Sequence, residues 1–177
     1  MSGGVDTPVV IDFPKVVELY QSLARQIVDS GIKPDGYLIL GYGGLFPGGL
    51  MVKILEPIFG KLPASSLTMS NYDKNNVRLE SPIVLEAPPA EIYSGKRIII
   101  FDDVWHTGGS IVEAVRRVAY GNGSPIVATL YFKPGQNLYY GWQPNFYVEP
   151  IDHWVQFPWE DPLMLLSDDP CLSLSTP

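Results

Sequence analysis

The stretch RIIIFDDVWHTGGSI, residues 97–111, decides the fold. It opens with an apolar run, RIIIF (97–101), which predicts a short buried strand. Two adjacent carboxylates, Asp102 and Asp103, follow at once, and a threonine, two glycines and a serine occupy 107–110. Like charges repel each other and a glycine pair weakens regular structure, so neither feature serves the fold itself. The pattern therefore indicates a strand that ends at a ligand site.

Strand-like and helix-like segments alternate along the rest of the chain. Helices are expected after Asp12, with Pro14 in the first turn, after the glycine-rich segment that contains Pro47, and over Ser110–Tyr120. The strand candidates are residues 37–41, 65–70, 82–87, 97–101, 125–132 and 145–149. The apolar residues expected to face the core from the second helix are Leu50, Met51, Ile54, Leu55 and Ile58. This alternation predicts an α/β domain with a mostly parallel sheet covered on both faces.

Length and composition limit the classes of protein that remain. The 177 residues suit a single domain, with a core over about 12–160, loose ends before it and a tail at 161–177. A net charge of −7 argues against a general nucleic-acid partner, because phosphate backbones need clustered Lys and Arg. No apolar run approaches the ~18 residues of a membrane span, and no signal peptide opens the chain, so we expect a cytoplasmic protein without a membrane partner. The single cysteine, Cys171, excludes an internal disulfide.

The ligand chemistry follows from where these residues fall. In parallel sheets, ligands collect at the carboxyl ends of strands beside helix amino termini. The amides at Thr107–Ser110 suit a phosphate, because the first N–H groups of a helix have no partner inside it. The carboxylates of Asp102 and Asp103 suit sugar hydroxyls or a hydrated metal ion. A phosphorylated sugar satisfies both halves, and the alternative is an acidic turn that caps a helix in another α/β protein.

This stretch resembles the phosphoribosyl-diphosphate (PRPP) motif of type I phosphoribosyltransferases, in which a hydrophobic strand, two acids and T-G-G-T or T-G-G-S follow one another. The likeness runs from about residue 12 to 160 and is greatest to the xanthine-guanine/hypoxanthine (purine) branch. It implies a mostly parallel five-stranded sheet flanked by helices, a small hood formed by the chain ends, and a flexible loop. It also implies that Thr107, Gly108, Gly109 and Ser110 bind the 5-phosphate of PRPP. Mg²⁺ is the implied cofactor, held by Asp102 and Asp103 directly or through water, and a homo-dimer or homo-tetramer is the implied assembly.

Two further segments resemble loops of the same family. GYGGLFPGG (41–49) looks like the pyrophosphate loop, with Tyr42, Gly43 and Gly44 in place, and it has neither the Walker nor the G-x-G-x-x-G spacing. SNYDKNN, within 70–81, looks like the start of the flexible loop, which would close over the reacting centre and exclude water. The purine branch usually has an arginine at the position of Tyr42, and Lys53 and Arg78 are the candidates to replace its charge.

The purine-binding residues are implied by two segments, FKPGQN (132–137) and DHWVQFPWE (152–160). Residue by residue, the resemblance places Lys133 at the 6-oxo group of the purine, Trp154 against the ring and Val155 at the base edge. A lysine ammonium only donates hydrogen bonds, so it selects an oxo group over an amino group. The alternatives are that Lys133 is an ordinary solvated lysine and that the aromatic residues here belong to the core.

His106, like Tyr42, departs from the family pattern, which commonly has an aspartate just before T-G-G. That aspartate is proposed as a general base toward the purine. An unperturbed imidazole has a pKa near 6.5, so histidine can take up a proton at neutral pH. The catalytic residues expected are therefore His106, Asp102 and Asp103, and the alternative is that His106 is a neutral hydrogen-bonding spacer.

These features together predict a purine phosphoribosyltransferase. Such an enzyme transfers the ribose 5-phosphate unit of PRPP to a 6-oxopurine (xanthine, guanine or hypoxanthine), releases pyrophosphate and serves purine salvage. Tyr42 and His106 keep two other interpretations open. One is a PRPP- or nucleotide-binding regulatory protein of the same fold with weak catalysis, and the other is a phosphoribosyltransferase that uses a non-purine base.

Overall fold

Asp12 begins the first long helix, because its Oδ1 accepts a hydrogen bond of 2.8 Å from the backbone N–H of Lys15, as an N-cap residue does. The computed structural model describes residues 8–72, 74–75 and 77–160. The helices are α1 (Phe13–Asp29), α2 (Leu45–Phe59) and α3 (Gly109–Tyr120). The strands are β1 (Val9–Val10), β2 (Gly36–Leu40), β3 (Ala64–Tyr72), β4 (Arg78–Glu86), β5 (Arg97–Trp105), β6 (Ser124–Phe132), β7 (Phe146–Pro150) and β8 (Val155–Gln156).

The main sheet has six strands in the order β4-β3-β2-β5-β6-β7. Its β2–β3, β2–β5, β5–β6 and β6–β7 pairs are parallel, and the β3–β4 pair is antiparallel. The expected α/β fold with a mostly parallel sheet and flanking helices is confirmed, but the expected strand number of five is wrong. The sixth strand is β4, which extends the sheet as the second arm of a hairpin with β3.

That hairpin also corrects the expected loop over 70–81. Ser70 pairs with Ile83 and Tyr72 pairs with Arg78, so most of the polar segment is strand rather than loop. Polar residues suit this place because β4 lies at the edge of the sheet and faces solvent. Movement of the hairpin over the site stays a prediction.

The chain ends form the expected hood as a second sheet of two parallel strands. Val9 pairs with Val155 and Val10 with Gln156, and the backbone N–H of Val9 donates to the Trp154 carbonyl at 2.7 Å. The expectation that the first ten residues are loose is therefore wrong for Val9 and Val10. The predicted tail at 161–177 lies outside the described residues.

The core lies on both faces of the main sheet, which β5 crosses at its centre. α1 and α2 cover one face, against Ile99 and Phe101, and α3 covers the other, against Ile98 and Ile100. On α2, Met51 and Leu55 are buried as expected, whereas Leu50 is 38% exposed and Ile58 is 53% exposed. Among the described residues, no helix is long and apolar enough to cross a membrane. The layers hold the carboxyl ends of β2, β5 and β6 together at one edge.

Candidate active site

Asp102 and Asp103, the acid pair, lie in the second half of β5, which continues beyond the predicted strand to Trp105. The Asp103 N–H donates to Asp102 Oδ1 at 3.0 Å, and the Val104 N–H donates to Asp103 Oδ1 at 2.6 Å. Each carboxylate is therefore oriented by the backbone amide that follows it. Both residues keep part of their surface open to the cleft.

Burial sets the protonation of the acid pair. Loss of solvent, and then the charge of Asp103, raise the pKa of Asp102 well above its ordinary value. Loss of solvent, with a smaller contribution from the charge of Glu160, raises the pKa of Asp103 to about 6. Two crowded, desolvated carboxylates favour protons or a cation beside them.

The predicted pyrophosphate loop packs directly on the acid pair. A Cβ atom on Gly43 would lie 2.6 Å from Asp103 Oδ2, and one on Gly44 would lie 3.0 Å from Asp102 Oδ1. Tyr42 precedes them with a φ of 65°, a left-handed conformation that is uncommon for a bulky residue, and it is 73% exposed. The loop therefore brings its backbone to the carboxylates and leaves the tyrosine ring on the surface.

The predicted phosphate loop, Thr107–Ser110, leads into α3 as expected. Gly108 takes a φ of +91°, and a Cβ there would lie 2.7 Å from Trp105 Nε1, so this position requires glycine. Within the described part of the chain, no side chain caps the amino terminus of α3. The first residues of α3 line the cavity, and the amides of an uncapped helix start suit an anion.

Asn71, near the end of β3, reaches across to this loop. Its Nδ2 donates to Ser110 Oγ at 3.1 Å, and the hydroxyl of Ser110 lies 3.3 Å from Asn71 Oδ1. The hairpin thus contacts the phosphate loop through this side-chain pair. Sequence reasoning noted the segment SNYDKNN but gave Asn71 no role.

A cavity of about 300 Å³ lies between these elements. Its walls combine the acid pair, Tyr42 and Gly43, the whole phosphate loop, His106 and Trp154. The remaining lining residues are Leu40, Gly41, Leu67, Met69, Asn71, Val104 and Ile111. Of the predicted residues, Gly44 is buried beneath the acid pair rather than in this wall.

A smaller cavity of about 150 Å³ adjoins it, and the two share Asp103, Val104, His106 and Trp154. The predicted purine-binding residues Lys133, Trp154 and Val155 all line the smaller cavity. Phe157 and Glu160 complete it. Glu160 ends the segment DHWVQFPWE (152–160). It was not predicted as a lining residue, because a lone glutamate after aromatic residues belongs to no motif.

Lys133 and Trp154 are in contact within the smaller cavity. Lys133 is 3% exposed, and its Nζ lies 5.4 Å from the centroid of the Trp154 ring, within the range of a cation–π interaction. The alternative of a solvated lysine is therefore excluded. Trp154 is 54% exposed, so it is not a core aromatic either.

His106 contacts both Trp154 and Gln136. Its ring meets the edge of Trp154 at a centroid distance of 6.4 Å and an interplanar angle of 79°. Its Nε2 forms a hydrogen bond with Gln136 Oε1. Gln136 lies in the quoted segment FKPGQN, but no sequence signal assigned it to the site.

The acid pair fits the implied Mg²⁺. Within residues 8–72, 74–75 and 77–160, no group of three or more His, Cys, Asp or Glu side chains could by itself hold a metal ion. Mg²⁺ commonly binds through one or two carboxylates together with water and substrate phosphates. Asp102 and Asp103 offer that incomplete donor set, and because burial raises the pKa of both carboxyls, a bound cation would offset the cost of their charges.

Comparison with known families assigns most of the chain to one family. The model of the phosphoribosyl transferase domain matches residues 11–160. The chain belongs to the phosphoribosyl transferase family. The family and the enzyme class predicted from the sequence, a phosphoribosyltransferase, are therefore confirmed.

Solved structures with the same fold share little sequence with this phosphoribosyltransferase. A purine phosphoribosyltransferase from Pyrococcus horikoshii Ot3 is 24% identical, with a TM-score of 0.71 over 87% of this chain and 94% of that one. A hypothetical protein from Neisseria gonorrhoeae with bound ppGpp is 20% identical, with a TM-score of 0.72 over 91% and 93%. Xanthine-guanine-hypoxanthine phosphoribosyltransferase from Helicobacter pylori is 15% identical, with a TM-score of 0.72 over 91% and 99%. A search among curated protein sequences gives no significant match.

Proposed function

We propose that this phosphoribosyltransferase transfers the ribose 5-phosphate unit of PRPP to a 6-oxopurine and releases pyrophosphate, a purine-salvage reaction. The observation that carries the proposal is the pair of adjoining cavities. One contains the acid pair and the phosphate loop, the other contains Lys133 and Trp154, and Asp103 and His106 lie on their common boundary. A transferase that joins a sugar phosphate to a base needs two such compartments that meet at the reacting carbon.

The larger cavity would bind PRPP. The amides and hydroxyls of Thr107–Ser110 would hold the 5-phosphate, and Asp102 and Asp103 would accept hydrogen bonds from the ribose hydroxyls. Mg²⁺ held by the acid pair would neutralise charge on the pyrophosphate. The backbone of Gly43 and Gly44, with the Tyr42 hydroxyl, would face that leaving group.

The smaller cavity would bind the purine. Lys133 would donate to the 6-oxo group, Trp154 would stack on the ring, and the backbone at Val155 would contact the base edge. The bond from the ribose carbon to pyrophosphate breaks, with its electron pair leaving on the pyrophosphate, and a bond to the purine nitrogen forms. His106 would take the proton that this nitrogen loses, and the acid pair would stabilise positive charge that develops on the sugar.

The test is release of pyrophosphate from PRPP and Mg²⁺ with xanthine, guanine or hypoxanthine. We expect turnover with at least one of the three, and much slower turnover with adenine, whose amino group cannot accept from Lys133, and with orotate. Asp103→Asn should reduce turnover tenfold or more, whereas Asp29→Asn, an exposed carboxylate at the end of α1, should not. Turnover only with orotate would contradict the purine assignment.

A second candidate is a PRPP- or nucleotide-binding regulatory protein, and Tyr42 favours it because the loop there supplies no cation to the pyrophosphate. The Neisseria gonorrhoeae protein of this fold, which binds ppGpp, supports this alternative. Tight binding of PRPP or ppGpp by calorimetry, without product from any base, would favour the regulatory function over the enzyme.

A further inference from the structure

Gln136 joins three segments that meet at the smaller cavity. It ends the short 3-10 turn Pro134–Gln136, directly after Lys133. Its Oε1 contacts His106 Nε2, and its Nε2 donates to the backbone carbonyl of Asp152 at 3.0 Å. One amide side chain therefore connects the residue before the phosphate loop, the turn after Lys133 and the segment that leads to Trp154.

The Asp152 contact fixes which way the amide of Gln136 points. A backbone carbonyl only accepts, so the nitrogen of the glutamine amide must face Asp152 and its oxygen must face His106. That oxygen also only accepts, so the imidazole must carry a proton on Nε2. In the neutral ring, Nδ1 is then the nitrogen that accepts a proton.

A second contact ties the same two loops together. The Gly135 N–H donates to Asp152 Oδ1 at 3.2 Å, and a Cβ on Gly135 would lie 3.0 Å from that oxygen. The Asp152 segment is thus held at its side chain by Gly135 and at its carbonyl by Gln136. Because Trp154 follows two residues later, this attachment sets where the indole lies relative to Lys133.

We propose that Gln136 is a positioning residue for both halves of the reaction: its oxygen holds the His106 ring with Nδ1 as the proton acceptor, and its nitrogen holds the Trp154 segment over the purine cavity. The role of the Gln136 oxygen, which holds the His106 ring, rests on the proposed function of His106. The role of the Gln136 nitrogen, which holds the Asp152 carbonyl, concerns the smaller cavity alone.

Two substitutions at Gln136 distinguish its contact with His106 from its contact with Asp152. Gln136→Leu removes both the acceptor and the donor. Gln136→Glu keeps an oxygen for His106 Nε2 but sets a carboxylate against the Asp152 carbonyl, so it loses only the second contact. Gln143→Leu, at an exposed position outside both cavities, is the matched control.

The first measurement needs no activity. The chain has two histidines, so ¹⁵N-histidine labelling gives a simple spectrum in which His153→Asn assigns the other ring. We expect the wild type and Gln136→Glu to show an exchange-protected Nε2–H signal from His106, and Gln136→Leu to lose it. An unchanged signal in Gln136→Leu, or no protected signal in the wild type, would overturn the proposal.

The second measurement is steady-state transfer with the preferred purine. Gln136→Leu should lower kcat on the order of tenfold and raise the purine KM, since a misplaced base and ring are both felt in the rate. Gln136→Glu should raise the purine KM and keep most of kcat, and neither variant should change the PRPP KM by more than about twofold. Equal effects of the two variants on kcat and KM would overturn the division of roles.

The outcomes also distinguish this proposal from the proposed function. If Gln136→Leu loses the Nε2–H signal but His106→Ala transfers at the wild-type rate, Gln136 positions the ring and His106 is not the base. If His106→Ala is inactive while Gln136→Leu keeps the signal and full activity, the base assignment stands and the role of Gln136 is wrong.

Discussion

A Cβ atom placed on Gly43 would lie 2.6 Å from Oδ2 of Asp103, well inside the contact distance of carbon and oxygen. Gly43, in the predicted pyrophosphate loop, and Asp103 therefore leave no room for a side chain between them. The loop after β2 thus packs directly on the end of β5.

Gly43→Ala should push Asp103 out of position. We expect PRPP-dependent turnover to fall tenfold or more, because a shift near 1 Å at reacting groups can cost about 100-fold. The matched control is Gly49→Ala on α2, where a Cβ meets nothing within 4 Å and alanine favours the helix. Steady-state rates measure the effect, and equal rates for Gly43→Ala and Gly49→Ala would contradict it.

Asp103→Asn should stabilise the protein at neutral pH. The carboxyl pKa rises from 3.8 to about 6 on folding, so the folded state binds more protons between these values and stability falls as pH increases through them. Asparagine removes that loss, which is on the order of 3 kcal/mol.

Thermal unfolding without Mg²⁺ at pH 4 and pH 7.5 measures this difference. The Tm of Asp103→Asn should exceed that of the wild type by a few degrees at pH 7.5 and match it closely at pH 4. Asp29→Asn should follow the wild type at both values. For Asp103→Asn, an equal Tm at pH 7.5 would mean that the carboxylate is well solvated, and a lower Tm would mean that its hydrogen bonds outweigh its desolvation; either result would contradict the prediction.

PRPP binding should depend strongly on Mg²⁺. Among the residues that the structure describes, no Lys or Arg side chain lines the larger cavity, and Lys53 instead pairs with Glu56 on α2 at 2.8 Å. The side chain of Arg78, the other candidate for this charge, lies outside the described part. The phosphates thus meet amides and carboxylates, so removal of Mg²⁺ with EDTA should weaken PRPP binding at least tenfold by calorimetry.

Tyr42→Arg should restore a cation beside the leaving group. It keeps a side chain at the same φ of 65°, and we expect several-fold tighter pyrophosphate binding. Tyr42→Gly is the control, because it relieves the backbone strain, roughly 1 kcal/mol, without adding charge. If both variants tighten binding equally, strain rather than charge governs the loop.

Lys133→Met should remove the preference for oxopurines at nearly constant volume. The buried ammonium beside Trp154 is the proposed donor to the purine, so its loss should lower kcat/KM for the preferred 6-oxopurine by about 100-fold and that for adenine far less. Competition assays with both bases measure the ratio. Lys61→Met, at an exposed position after α2, controls for loss of a positive charge.

The sequence predicted the parts of the site that depend on local pattern. The apolar run before Asp102 and the glycines before α3 defined a strand, a turn and a helix, because each depends on neighbours along the chain. The middle of the hairpin, within residues 70–81, was predicted as a loop because it is polar, and an edge strand has no need to be apolar. Gln136 and Glu160 could not be predicted, because their roles arise from contacts between segments that are far apart in sequence.

The sequence also did not separate the buried apolar residues of α2 from the exposed ones. Leu50 and Ile58 follow the apolar spacing of α2, yet both are more than a third exposed. A helix that is apolar on most of its faces has no period to separate its core-facing side from its outer side. Met51 and Leu55 were predicted correctly as buried, because they lie at the centre of the predicted apolar face of α2.

The pairing of Val9 with Val155 has a practical consequence for anyone who shortens this chain. The family match starts at residue 11, and a version trimmed to that boundary would keep every motif but lose the hydrogen bond from Val9 to the Trp154 carbonyl. We expect such a protein to fold and to look like an intact domain. The indole of Trp154 would nevertheless lose the support that two valines from the other end of the chain give it.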